Sequence, residues 1–216
     1  MTYSGEVRPG GHPDVRTLPG LTVSKLAVGQ MSNNAYLLTC PDTGEQLLID
    51  AADEAGRLLD LAGPAGLTTI VTTHRHADHW QALTEVVRAT GAQSLVHESD
   101  APGVPTVSAT VREGATVTVG SVALEVIHLV GHTPGSIALL YQDPAGHPHL
   151  FTGDSLFPGG AGRTTHPADF KRLMDDLEEK IFGRLPDDTW FYPGHGNDST
   201  LGKERPALPE WRARGW

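Results

Sequence analysis

The stretch T-H-R-H-A-D-H-W, Thr73 to Trp80, sets three histidines and one aspartate within six consecutive positions at the end of the β-branched run L-T-T-I-V-T-T. In an extended segment alternate side chains share a face, so His74 and His76 project the same way and can grip one metal ion. Asp78 and His79 turn elsewhere as a helix begins, which lets one short loop serve two ions. At this composition H-x-H-x-D-H arises by accident in roughly two chains per thousand of this length, so the reading depends on what the other histidines do.

Bulk properties narrow the choice. The 216 residues suit one domain with a substantial core, expected to span 1–216 with an irregular Gly/Pro-rich leader over 1–20. With 38% hydrophobic and 19% charged residues, and no apolar run near the roughly 18 residues of a membrane span, the chain reads as soluble and independent of membranes. The start, M-T-Y-S-G-E-V-R-P-G-G-H-P, lacks a secretory pattern, and the lone Cys40 cannot form an internal disulfide, so a cytoplasmic location is expected. A net charge of −10 would repel a phosphate backbone. Nucleic acid is excluded on that ground, and a small-molecule substrate is the expected partner.

Outward from the histidines, L-T-V-S-K-L-A-V, A-Y-L-L-T and Q-L-L-I-D read as strands, followed by a helix from Glu54 to Leu61. A second helix is expected from Trp80 to a stop at Gly91, then the strand S-L-V-H-E. Strands between Ala115 and Tyr141, the strand H-L-F-T-G-D, a helix from about Pro167 and the strand T-W-F-Y complete the pattern, with a short polar tail. Asp50, His74, Asp154 and His195 each follow an apolar β-like run, a position from which rigid elements hold side chains at one rim. His132 lies in the tight turn G-H-T-P-G-S.

Taken in order, T-H-R-H-A-D-H, G-H-T-P-G-S, T-G-D and P-G-H-G resemble the metallo-β-lactamase-fold hydrolases across nearly the whole chain. The resemblance implies an α+β fold, a four-layer αβ/βα sandwich with a two-metal site at one edge. It implies that His74, His76 and His132 hold one ion, that Asp78, His79 and His195 hold the second, and that Asp154 bridges them. All are nitrogen or oxygen donors, which suits zinc first, with iron or manganese as alternatives. Two adjacent cations lower the pKa of a shared water, and the resulting hydroxide attacks a polarised carbonyl. Asp78 is the expected catalytic residue, orienting that water. Asp50 is expected either to support the ligands from behind or to cap a turn. His97, Arg163 and Tyr192 are candidates for the pocket wall.

Within that family, G-D-S-L-F-P-G-G-A-G-R-T and P-G-H-G-N-D-S-T-L-G-K-E-R-P look like the short bacterial glyoxalase II-like proteins, whose reaction is thioester hydrolysis. Ser136 stands where full-length hydroxyacylglutathione hydrolases usually have a histidine, and the chain runs only about twenty residues past His195, without their C-terminal helical extension. Glutathione dependence is therefore an open expectation. Two other activities share the motifs: a persulfide dioxygenase with one iron on His74, His132 and Asp154, and a lactonase.

Overall fold

Apolar side chains on both faces of a strand demand a core on each side, and A-Y-L-L-T shows how that demand is met. Tyr36 and Leu38 point one way and Ala35 and Leu37 the other, and all four are buried. The same division runs through Leu47 and Ile49 against Leu48, and through Leu139 against Ala138 and Leu140. Two sheets therefore pack face to face, and each carries helices on its outer side. The computed structural model describes residues 2–215, so Met1 and Trp216, the ends of the expected domain, lie outside the described residues.

The first sheet follows chain order: β1 (Asp14–Thr17), β2 (Thr22–Val28), β3 (Asn33–Thr39), β4 (Gln46–Ile49), β5 (Leu67–Thr72), β6 (Gln93–His97) and β7 (Ala109–Val111). Pairing is antiparallel through β4 and parallel from β4 to β7. The second contains β8 (Thr116–Val119), β9 (Val122–His128), β10 (Ile137–Tyr141) and β11 (His149–Gly153). A small ribbon of β12 (Leu156–Phe157) and β13 (Gly160–Ala161) follows β11, and β14 (Trp190–Pro193) and β15 (Ser199–Thr200) complete the second sheet. In it β11 and β14 run parallel. Helices α1 (Ala55–Ala62) and α2 (Leu83–Thr90) cover the first sheet; α3 (Pro167–Asp176), α4 (Leu201–Glu204) and α5 (Leu208–Arg214) cover the second. This is the four-layer sandwich. Among the described residues no helix is long and apolar enough to cross a membrane.

The structure corrects three expectations. The leader is not wholly irregular, because Asp14–Thr17 pairs with β2 and extends the first sheet. The tail is not merely polar: α5 buries Trp211 against the second sheet's helical layer, its ring 6.1 Å from that of Phe182. The second helix starts at Leu83 instead of Trp80, since a single 3-10 turn over Ala77–His79 intervenes and the Trp80 indole donates back to the Arg75 carbonyl at 2.8 Å.

The first residues are held by a buried ion pair. Lys25 Nζ donates to Asp198 Oδ1 at 2.7 Å and to the carbonyls of Gly5 and Gly196 at 2.7 and 2.8 Å. Asp198 Oδ2 accepts from the Tyr3 hydroxyl at 2.6 Å. With the pair's side chains 0% and 1% exposed, Asp198→Ala would leave an ammonium without its counter-charge. Its unfolding free energy in urea is expected to fall by about 3–5 kcal/mol, whereas a loss within experimental error would refute this view of the pair.

Candidate metal centre

Parallel strands deliver their C-terminal ends to one edge of the sandwich. Asp50 follows β4, Thr73 and His74 follow β5, Asp154 follows β11, and His195 lies two residues beyond β14. His132 comes from the turn between β9 and β10. Two main-chain hydrogen bonds join the sheets at this edge: Ile137 N–H to the Thr73 carbonyl at 3.0 Å, and Asn34 N–H to the Gly194 carbonyl at 2.7 Å.

There the donors converge. His74, His76 and His132 form one group, His74, His79 and Asp154 a second, and Asp78, His79 and His195 a third, with the donor atoms of each within 4.8 Å of one another. The Nε2 atoms of His132 and His74 are 3.3 Å apart, as are those of His79 and His195. Asp78 Oδ2 and Asp154 Oδ1 each lie 3.4 Å from His79 Nε2.

The imidazole tautomers explain why these atoms can face each other. His79 Nδ1–H donates to Asp50 Oδ2 at 2.8 Å, His132 Nδ1–H to the Arg163 carbonyl at 2.6 Å, and His195 Nδ1–H to the Met31 carbonyl at 3.1 Å. The Thr73 hydroxyl gives its proton to Asp50 Oδ2 at 2.8 Å and so accepts from His74 Nδ1–H at 3.1 Å. In their neutral forms these four rings are thereby fixed with Nε2 lone pairs turned inward, as in metal-binding histidines whose other nitrogen is engaged from behind. Lone pairs at 3.3 Å have no hydrogen to share, yet that spacing matches the edge of a tetrahedron with bonds of about 2.0–2.1 Å, which is about 3.3–3.4 Å. Asp154 Oδ1 is buried with no hydrogen-bond partner. The residues fit cations.

Electrostatics agree. Burial pushes the His79 imidazole down, but the carboxylates of Asp50 and Asp154 outweigh it and hold the ring up at about 10. Burial, then the charge on His79, holds His74 well below the usual histidine range. Burial works against ionising Asp154, yet His195 and His79 overcome it and keep its carboxyl well below the usual range. The cluster calls for positive charge among its carboxylates, whether a proton on His79 or a cation.

Asp50 lies behind the site, buried, and also accepts from Thr73 N–H at 2.7 Å. Its φ of 59° is unusual for a residue with a side chain. The backbone there aims the carboxylate at His79 and Thr73 simultaneously, so it props ligands instead of only capping a turn. The other candidates lie elsewhere. His97 is buried and stacked 3.9 Å from the ring of His128, outside the three donor groups. Tyr192 does not line a pocket: its strand alternation points it into the core between the sheets, where its ring stacks 4.7 Å from Phe151 and its hydroxyl meets His149 Nδ1 at 2.9 Å. Arg163 is exposed and contributes its carbonyl to His132. Sequence reasoning missed Asn33, whose Nδ2 donates to Asp78 Oδ2 at 2.9 Å, and Asp100, buried between two ligand loops. Asn33 opens β3 beside a turn and carries no motif.

Residues 28–195 match the sequence model of the metallo-β-lactamase superfamily. The chain belongs to that family. It is 36% identical over 179 residues to a hydroxyacylglutathione hydrolase of Polaromonas sp., covering 81% of this chain and 66% of that protein. It is 30% identical over 190 residues to hydroxyacylglutathione hydrolase GloC of Haemophilus influenzae, covering 78% and 88%. Thus the chain spans a little under two thirds of the length of the Polaromonas relative and most of GloC. Among solved structures, TTHA1623 in a di-iron-bound form superposes with a TM-score of 0.71 at 34% identity, covering 84% of this chain and 96% of that one.

Gly194 tests the packing of the donors. A Cβ there would lie 2.1 Å from Asp154 Oδ1 and 2.7 Å from His79 Cε1. Gly194→Ala is expected to weaken zinc binding by about ten- to a hundredfold in competition with a chromophoric chelator. Unchanged affinity in a folded variant would show that neither side chain needs its present place.

Proposed function

We propose that the chain is a binuclear metal-dependent hydrolase that cleaves a thioester of the hydroxyacylglutathione kind, or a related activated ester. One observation carries the reading: seven nitrogen and oxygen donors from two sheets meet in three overlapping groups, with the Nε2 atoms of His74 and His132, and of His79 and His195, a tetrahedron's edge apart. His74, His76 and His132 would hold one cation and Asp78, His79 and His195 the other, with Asp154 between them. Two cations bound there supply Lewis acidity toward water and toward a carbonyl. Zinc is the first choice for such a donor set, with iron and manganese compatible.

The chain's own residues do the rest. Asp78 Oδ2 is pinned by Asn33 and its side chain is 18% exposed, so it reaches the opening while the other carboxylate, Asp154, is more enclosed. Asp78 is the group that orients the attacking water and receives its proton. Beside His76 and His132 a cavity of about 340 Å³, walled also by Arg75, Val130, Thr165 and Asp169, has room for an acyl group or a thiol arm. On the other side, Met31 is exposed and the Phe157 ring lies 6.5 Å from His195, an apolar border for the opening. The relatives' name, hydroxyacylglutathione hydrolase, supports the thioester. A small-molecule substrate and a cytoplasmic setting belong to the same reading.

The test is to strip the purified protein with chelator and reload it with zinc, iron or manganese. Ions per chain are then counted, and hydrolysis is measured on a hydroxyacylglutathione, the same acyl group on a small thiol, and a lactone. Two ions and thioester cleavage are expected, with at least about a hundredfold loss in Asp154→Asn or His132→Ala. One iron per chain and oxygen uptake with glutathione persulfide, without thioester cleavage, would overturn the proposal in favour of a dioxygenase.

A further inference from the structure

The first donor group is assembled from two loops that share no strand. His74 and His76 flank Arg75 after β5, and His132 sits in the turn before β10, so something must fix their separation before a cation arrives. One buried side chain touches both loops. Asp100, in the turn after β6, is 0% exposed, and its Oδ2 accepts from Arg75 N–H at 3.0 Å and from the Thr133 hydroxyl at 2.5 Å. Its Oδ1 accepts from Gly135 N–H at 2.9 Å, with Arg75 Nε 3.9 Å away. The approach is close enough to require glycine at 135, where a Cβ would lie 2.7 Å from Asp100 Cγ. Ser136 extends the link, its hydroxyl 2.6 Å from that of Thr133 and accepting from Thr133 N–H at 3.1 Å.

We infer that Asp100 is a positioning residue for the His74–His76–His132 cation: it ties the two loops at the spacing their imidazoles need. The chemistry of the three donors makes an acid necessary. Arg75 and Gly135 present main-chain N–H groups, which cannot become acceptors, and they face different oxygens of the carboxyl group. An amide in its place would have one acceptor oxygen. Turned toward Gly135 it presents its NH2 to Arg75 N–H, and turned toward Arg75 it presents it to Gly135 N–H. Either orientation releases one loop and leaves a buried donor unmet. The second cation's ligands are held by other groups: Asp78 by Asn33, His79 by Asp50, and His195 by the Met31 carbonyl. Asp100 therefore acts on one cation and not on both.

This rests on the two-cation reading only in treating the donor groups as separately titratable, and its readout is metal binding, so absence of thioester turnover leaves it testable. Zinc is titrated into the metal-free full chain and into Asp100→Asn, Thr133→Val and Thr133→Ser, against a competing chelator. Imidazole nitrogen NMR assigns each binding step to its histidines. The step that shifts His74, His76 and His132 is expected to weaken by about ten- to a hundredfold in Asp100→Asn and by less in Thr133→Val. Thr133→Ser, which keeps the hydroxyl, should bind like the unaltered chain, and the step that shifts His79 and His195 should hold its affinity throughout. If Asp100→Asn does not fold, the Val and Ser pair at 133 decides. Unchanged affinity in the folded variants would overturn the inference, and so would equal weakening of both steps in parallel with thermal stability, since that is what a purely structural acid would do.

Discussion

Seven donors carried on two sheets form one site only while the two sheets keep a fixed registry at their common edge. That registry rests on few contacts: the main-chain bonds from Ile137 to Thr73 and from Asn34 to Gly194, with Asn34 Nδ2 donating to the Pro193 and Gly196 carbonyls at 2.9 Å each. The Tyr36 hydroxyl adds a bond to the Pro193 carbonyl at 2.6 Å, and Lys25 one to Gly196. His195 thus stands on a loop whose neighbouring carbonyls are all taken by the opposite sheet. Beneath the edge, Tyr36, Phe151 and Tyr192 fill the space between the sheets, so the polar rim stands on an apolar floor that does not yield easily.

A rim built this way is costly without positive charge. Asp50, Asp78 and Asp154 surround His79, and all of its hydrogen-bonding capacity is directed at carboxylates or at another imidazole. The ring answers by holding a proton well above the ordinary histidine range, while His74, next to it, is pushed the other way. Neighbouring rings of similar burial are thus driven apart by their partners alone. A cation at Nε2 takes the place of a proton on His79 and displaces none from His74, so the two neighbouring rings contribute unequally to proton release on binding.

What was legible in the chain was the local part. Apolar patterning gave most of the strands and helices, and T-H-R-H-A-D-H with G-H-T-P-G-S, T-G-D and P-G-H-G marked the residues that the fold gathers. What stayed hidden depends on partners remote in sequence. Tyr3 meets Asp198 across 195 positions, and no property of M-T-Y-S-G announces that contact. In R-P-A-L-P-E-W-R-A-R two prolines and three arginines mask a short helix, because its apolar contribution is concentrated in Leu208 and Trp211 and has value only against the helical layer of the second sheet. Tyr192 was misplaced for a related reason. Sequence proximity to His195 suggested the rim, but strand period sends Phe191 outward to the helices and Tyr192 inward between the sheets.

Asp50 and Asp100 show why supporting residues are harder to see than ligands. A ligand must be one of a few residue types at a spacing dictated by the metal, so it leaves a pattern. A support needs only acceptor oxygens at the right place, and the place is made by backbone: a left-handed φ at Asp50, a glycine without a Cβ opposite Asp100. Both acids are spent almost entirely on main-chain N–H groups, hydroxyls and an imidazole that belong to the ligand loops. Asp50 sits behind His79 and, through the Thr73 hydroxyl, His74, whereas Asp100 lies between the loops of His76 and His132. The ligand loops carry little regular structure of their own, and these two carboxylates supply the order that hydrogen-bonded strands supply elsewhere in the molecule.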